Sequence, residues 1–216
     1  MANIAIISAD LIHSSKLSSE QVSAELEACK QAYSRWREQG ARDLDFFRGD
    51  SFQCRIEDPQ WAMHLAIDII ASVKSISPYS EDGKKRGRSR FSPADIRMGI
   101  GLGEAEPNEG ESFGSAFVRS GKALDGLGNS DLRIAFRSSS FQFNRAMEMA
   151  LQLLNPILDR WTVPSAEIVP LLLQGKKDGE IAQIIGIAPS SMSQRKSVAS
   201  WKSIEALLRY FQDSVK

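Results

Sequence analysis

The chain has 216 residues with 27 Lys and Arg against 27 Asp and Glu, so its formal charge is zero and the whole-molecule balance selects no polyanionic or polycationic partner. A composition of 42% hydrophobic and 25% charged residues is that of a globular protein with room for one sizeable core and a small second unit. No apolar run approaches the ~20 residues of a membrane span, and no charged segment precedes an apolar one at the N-terminus, so the expected compartment is the cytoplasm.

Residues 3–9 are a near-continuous apolar run, the pattern of a buried central strand, and Asp10 closes it. Asp10 to Leu17 is a polar loop holding His13 and Lys16. Ser18 with Gln21 reads as a capping box. It opens a helix with apolar residues at Val22, Leu26, Cys29, Tyr33 and Trp36, expected to end at Gly40. Two apolar-rich runs then meet at Gly49-Asp50 within Asp45 to Ile56, which predicts a hairpin with a two-residue turn and Asp50 at its tip. Cys29 and Cys54 lack metal-ligand spacing and are expected as reduced, partly buried core residues.

Asp58-Pro59 starts a second helix that presents Trp61, Ala62, Leu65, Ala66, Ile69 and Val73 on one face. Residues 77–93 hold Pro, Gly and Ser with Lys84, Lys85, Arg86, Arg88 and Arg90, a solvated loop with the charge to attract phosphates. Ile96 to Glu104 alternates around glycines, as a strand does where another backbone approaches closely. An acidic loop over 105–112 leads to a helix from Gly114, then a strand over Leu132 to Phe136. Ser139 with Gln142 is a possible capping box for a long helix to about Arg160. Strands alternating with helices make this part an α+β sandwich with helices mainly on one face.

A second unit is expected over 161–216. A helix runs from Thr162 to Gln174, Asp178 caps Glu180 to Ile185, Gly186-Ile187-Ala188 turns, and Pro189 starts a helix to about Ala199. This is a helix-turn-helix pattern, with Ala182 small at the crossing and Ile181, Ile185, Ile187 and Met192 as its core; an ordinary helical hairpin is the alternative. Here seven Lys and Arg face five Asp and Glu, against 20 and 22 in the rest. Ser190, Ser191 and Gln194 would face DNA bases, while Arg195 and Lys196 would neutralise phosphates.

Taken singly, Asp10 and Asp50 serve their loop and turn. If their strands are neighbours, the two carboxylates converge at one end of a sheet, a hard-oxygen pair suited to Mg²⁺ or Mn²⁺ with a nucleotide phosphate. Over residues 1–137 this order of elements resembles the class III nucleotidyl cyclase catalytic domain, a ferredoxin-like palm. With the C-terminal helices added, the chain resembles the SatD family, a cyclase-like domain (1–160) joined to a helix-turn-helix (161–216). The resemblance implies that Asp10 and Asp50 bind metal and that the backbone of Leu11, Ile12 and His13 cradles the triphosphate. It puts Phe46 where the base-selecting lysine stands and Glu111 at the second base-selecting acid. Val118 and Lys122 stand where a transition-state Asn and Arg are found. Lys122 keeps a charge without the bidentate fork, and Val118 has no hydrogen bond to offer, so efficient cyclisation is not expected. The resemblance also implies a homodimer. The function expected is a DNA-binding regulator with a nucleotide-binding, degenerate cyclase-like sensor; the alternative is a two-metal nucleotidyl transferase or cyclase with altered base selection.

Overall fold

The computed structural model describes residues 3–12, 14–47, 49–76, 94–104, 114–128 and 130–215. The expectations for His13, Glu111 and the loops over 77–93 and 105–112 lie outside the described residues.

Strand β1 (Asn3–Leu11) is central. Helix α1 (Ser19–Ser34) follows, with Ser18 and Gln21 forming the reciprocal cap. It ends before Gly40, at Arg35, and hydrogen-bonded turns carry the chain to Gly40 at φ +95°. Strands β2 (Ala41–Phe47) and β3 (Ser51–Ile56) form the hairpin, and a 3-10 turn at Pro59–Trp61 leads into α2 (Ala62–Lys74). Then come β4 (Ile96–Glu104), α3 (Ser115–Leu127), β5 (Ile134–Arg137) and α4 (Phe141–Asp159). The cap of α4 is Ser140, whose hydroxyl accepts from the Phe143 amide, one residue later than the box expected at Ser139.

The sheet order is β2-β3-β1-β4-β5, with β4 and β5 parallel and the other pairs antiparallel. Its first four strands, with α1 and α2, are the β-α-β-β-α-β unit of the ferredoxin-like palm; α3 and β5 extend it into the mixed sheet of a nucleotidyl cyclase-like fold. Alternation along β1 divides the core. Ala5, Ile7, Ala9 and Leu11 pack with α1 and α2, whereas Ile4 and Ile6 meet Ala116 and Phe117 of α3 on the opposite face. The glycines of β4 permit that second layer: a Cβ on Gly101 would lie 2.3 Å from the Ala116 carbonyl oxygen and the Ser120 nitrogen.

Beyond α4 lie α5 (Val163–Glu167), α6 (Val169–Leu173), α7 (Asp178–Ile185), α8 (Pro189–Val198) and α9 (Trp201–Val215). The single helix expected over 162–174 is broken at Ile168, ahead of Pro170. Gly186 makes the α7–α8 turn in the left-handed conformation, and Ile181, Ala182 and Met192 are buried beneath it. The position expected as a boundary falls in the short turn between α4 and α5, yet the helices beyond it enter the same apolar cluster as the sheet. α2 touches α5, α6 and α9 as well as α1 and the sheet. Every residue of α2 is therefore buried, not one face alone. Its one carboxylate, Asp68, accepts from Arg35 at 2.7 and 3.0 Å and from the Trp36 indole at 2.7 Å. Cys29 and Cys54 are both free and buried.

Candidate functional site

β1 and β3 are neighbours, and their register sets Asp10 opposite Ser51. The Leu11 amide donates to the Asp50 carbonyl at 3.0 Å. Asp10 and Asp50 thus stand at the same end of the sheet. What surrounds them is a set of protein donors. Arg97, directly opposite Asp10 on β4, grips that carboxylate with both arms of its guanidinium, Nε to Oδ1 at 2.6 Å and Nη2 to Oδ2 at 2.9 Å. Its third nitrogen donates to the Gly128 carbonyl at 2.5 Å, tying the pair to the end of α3. The hydrogen bonds to Asp10, with that carboxylate's charge, raise the Arg97 pKa above its ordinary value. Asp50 accepts from the Ser14 hydroxyl at 2.7 Å and from the Ser51 hydroxyl at 3.2 Å.

The two carboxylates do not fit a divalent-cation site in this arrangement. Both Asp10 oxygens are occupied by a cation the chain supplies itself, and both Asp50 oxygens by hydroxyls. Among the described residues there is no group of three or more His, Cys, Asp or Glu side chains arranged to hold a metal. The phosphate cradle is also spoken for: the Leu11 amide bonds to Asp50 and the Ile12 amide to the Asp95 carbonyl at 2.9 Å.

The hairpin differs from expectation in one countable way. Phe47 pairs with Ser51, one residue off the register of a two-residue turn, with Gly49 at φ +80°. A two-residue turn would pair Phe47 with Phe52 and put Phe46 on the face of Asp10. The extra residue inverts the alternation. Phe46 instead lies opposite Phe52 on the α1 side, its ring 5.6 Å from that of Phe52 and under the Lys30 ammonium. Phe47, 49% exposed, takes the face shared with Asp10. The structure therefore separates Phe46 from the two acids.

Val118 is 55% exposed on α3. Lys122, one turn on, lines a groove with Ser115, Arg119, Arg137, Ser138 and Asn144, beside β5 and thus beyond β4 from the strand that carries Asp10. Within one chain Lys122 and the acids serve different places. Sequence reasoning missed Arg97, although a cation in a strand two residues from a glycine stripe was its visible sign. It also missed Arg137, for which only the sheet order reveals an edge position.

On α8, Ser190 and Gln194 are exposed and Ser191 is half-buried. Arg195 pairs with Glu167 of α5 at 2.5 Å, and Lys196 with Asp178 at the start of α7 at 2.7 Å. Both cations expected to meet phosphates thus fasten α8 to its neighbours.

No protein-family model matches the sequence, and no curated protein matches it. Solved structures of nucleotidyl cyclases do. Adenylate cyclases of Trypanosoma brucei in their monomeric state align at 12% identity over 68% of this chain and 80% of that one, with a TM-score of 0.48. A bacterial light-regulated adenylyl cyclase aligns at 13% identity over 62% and 75%, with a TM-score of 0.43. The adenylyl cyclase CyaB from P. aeruginosa aligns at 14% over 68% and 81%, with a TM-score of 0.36. Likeness at this level gives no residue a role, and the fold rests on the strand order described above. Among the described residues no helix is long and apolar enough to cross a membrane.

Proposed function

We propose that the chain is a DNA-binding regulator whose cyclase-like palm binds a nucleotide without cyclising it. The observation that carries the non-cyclising half is the Arg97 grip on Asp10, which satisfies the first carboxylate internally. Val118 on α3 adds to it, since an apolar side chain stabilises no developing charge. The regulatory half is supported by α7 and α8, joined at a left-handed Gly186, with the polar start of α8 facing solvent. A homodimer is part of the reading, because a lone helix-turn-helix reads only half of a twofold site.

The test is salt-titrated binding of the full chain to fragments enriched from genomic DNA. Gln194→Ala is expected to lose about 1–3 kcal/mol of preference at one base pair and to keep non-specific affinity. Asp178→Asn, which releases Lys196, is expected to strengthen binding to all sequences alike, because a surface ion pair holds that lysine by only ~0–1 kcal/mol. Recovery of no enriched sequence would end the regulatory reading.

A second reading, a metal-dependent enzyme acting on a nucleoside triphosphate, is favoured by one observation: Asp10 and Asp50 meet at the end of adjacent strands. Turnover of any triphosphate with Mn²⁺ by the wild-type chain would establish it in place of the first.

A further inference from the structure

Among the described residues β5 is the last strand of the sheet and pairs only with β4. Its outer edge opens into a cleft of about 310 Å³ between α3 and α4, walled by Ala123, Leu127, Ile134, Phe136 and Leu151. At the end of β5 this cleft adjoins a groove of about 460 Å³, and Arg137 and Asn144 line both. The groove has a different character. Arg119 and Lys122 from α3 and Arg137 from β5 converge on it, Val118, Ser115, Ser138 and Asn144 complete the wall with the polar three bonded within the protein, and no described acid lines it. Arg119 spends one nitrogen on the Leu102 carbonyl, at 2.6 Å, which fixes its position. Neither Lys122 nor Arg137 has an ion-pair partner among the described residues. The acid nearest in kind, Glu148, lines the apolar cleft and is itself paired with Arg145 at 3.1 Å.

From this juxtaposition we infer that the β5 edge is a binding site for a small organic phosphate of nucleotide size, with the phosphate among Arg119, Lys122 and Arg137 and the planar body against the strand edge. Three cations that no carboxylate opposes among the described residues favour a group with more than one negative charge, and the two guanidiniums offer forks that match phosphate oxygens. The combined space is that of a small-molecule site. An unpaired strand edge presents backbone donors and acceptors, which the hydrogen-bonding rim of a nucleobase complements. This inference rests on the palm being a ligand-binding module and moves the ligand away from the Asp10 end, whose amides and carboxylates are already engaged.

The experiment is calorimetric titration of the full chain with inorganic pyrophosphate and with each nucleoside 5′-monophosphate, without added metal. The double variant Arg137→Gln/Lys122→Gln is expected to weaken binding of both probes at least about tenfold. A nucleotide that binds better than pyrophosphate, with backbone amide shifts at Ile134 to Arg137, marks the cleft as the seat of the base. Asp10→Ala and Asp50→Ala are expected to leave binding unchanged. If those two variants abolish binding while the cation variants keep it, the ligand lies at the other end of the sheet and the inference is wrong. If no probe binds the wild type, there is no phosphate site at the edge. Either failure leaves the DNA measurements standing, because α8 is not part of the cleft.

Discussion

A guanidinium across from a carboxylate decides the chemistry available at the Asp10 end. Two hydrogen bonds at 2.6 and 2.9 Å in a half-buried place compete directly with any cation that approaches. Arg97→Gln is therefore expected to raise Mn²⁺ affinity at least about tenfold, followed by electron paramagnetic resonance of the free ion, and adding Asp10→Ala is expected to cancel the gain. Two other buried groups set how stability varies with pH. Glu25 on α1 is buried with Oε2 unpartnered, and burial, with the nearby Asp95 charge, raises its pKa to about 7. The unfolded chain ionises near 4.5, so Glu25 costs stability progressively as pH rises from 4.5 to 7 and nothing below that window. His64 works in reverse. It sits between Trp36 and Trp61 with Nδ1 unpartnered, and burial lowers its pKa to about 4. The unfolded imidazole gains its proton near 6.5, so stability falls as pH drops from 6.5 to 4. Urea titrations across pH 4 to 8 check both. Glu25→Gln is expected to stabilise by up to about 3 kcal/mol at pH 8 and by nothing at pH 4, and His64→Phe to flatten the acid side.

Among the elements, β4 and α3 show the sharpest dependence on a missing atom. At Gly101 an added methyl would overlap backbone atoms on α3, which cannot rotate out of the way as a side chain can. Gly101→Ala is expected to cost about 1–3 kcal/mol, measured by urea unfolding, and to shift α3 outward with Lys122 and Arg119 on it. The same substitution at Gly121, where a methyl meets nothing within 4 Å, is the control and is expected to leave the fold intact. That close approach was legible in the sequence, because three glycines alternating within a strand have few other uses. The hairpin was legible only in part. Gly49-Asp50 marks the turn, but a left-handed glycine serves turns of two and of three residues equally, and that one-residue difference decides which of Phe46 and Phe47 faces the acids. The capping box at Ser18 follows from local chemistry alone, whereas Arg97 gains its meaning only from the register of β1 with β4, which no local pattern encodes.

At the scale of the whole molecule, the C-terminal helices are structural partners of the palm as well as its candidate DNA-binding part. The α2 sequence, AMHLAIDIIASVK, is apolar apart from a narrow stripe of His64, Asp68 and Ser72 and the terminal Lys74, and a helix so largely apolar is stable in water only when covered on nearly every side. The sheet and α1 cover one half; α5, α6 and α9 cover the other. Reading one face of α2 as the buried one missed this, because a helical wheel marks the stripe of His64, Asp68 and Ser72 as polar and does not show that Arg35 and Trp36 cover it. Further contacts cross the same boundary: the Trp161 indole donates to the Ala199 carbonyl at 3.1 Å, and Phe211 of α9 packs edge-on against Phe136 of β5 with centroids 5.6 Å apart. A chain cut after Arg160 would lay open the outer side of α2 and strip Phe136 of that partner. Each large buried apolar side chain returned to water costs roughly 1.5–3 kcal/mol, and several are involved, so the loss matches the ~5–15 kcal/mol total stability of a domain. Residues 1–160 alone are therefore expected to aggregate or to remain partly unfolded, with lost near-ultraviolet dichroism and increased binding of an apolar dye. Co-expression with a separate 161–216 fragment is expected to restore a soluble complex of the two. A fragment of 1–160 that unfolds cooperatively, with the midpoint of the full chain, would show that the two parts are independent.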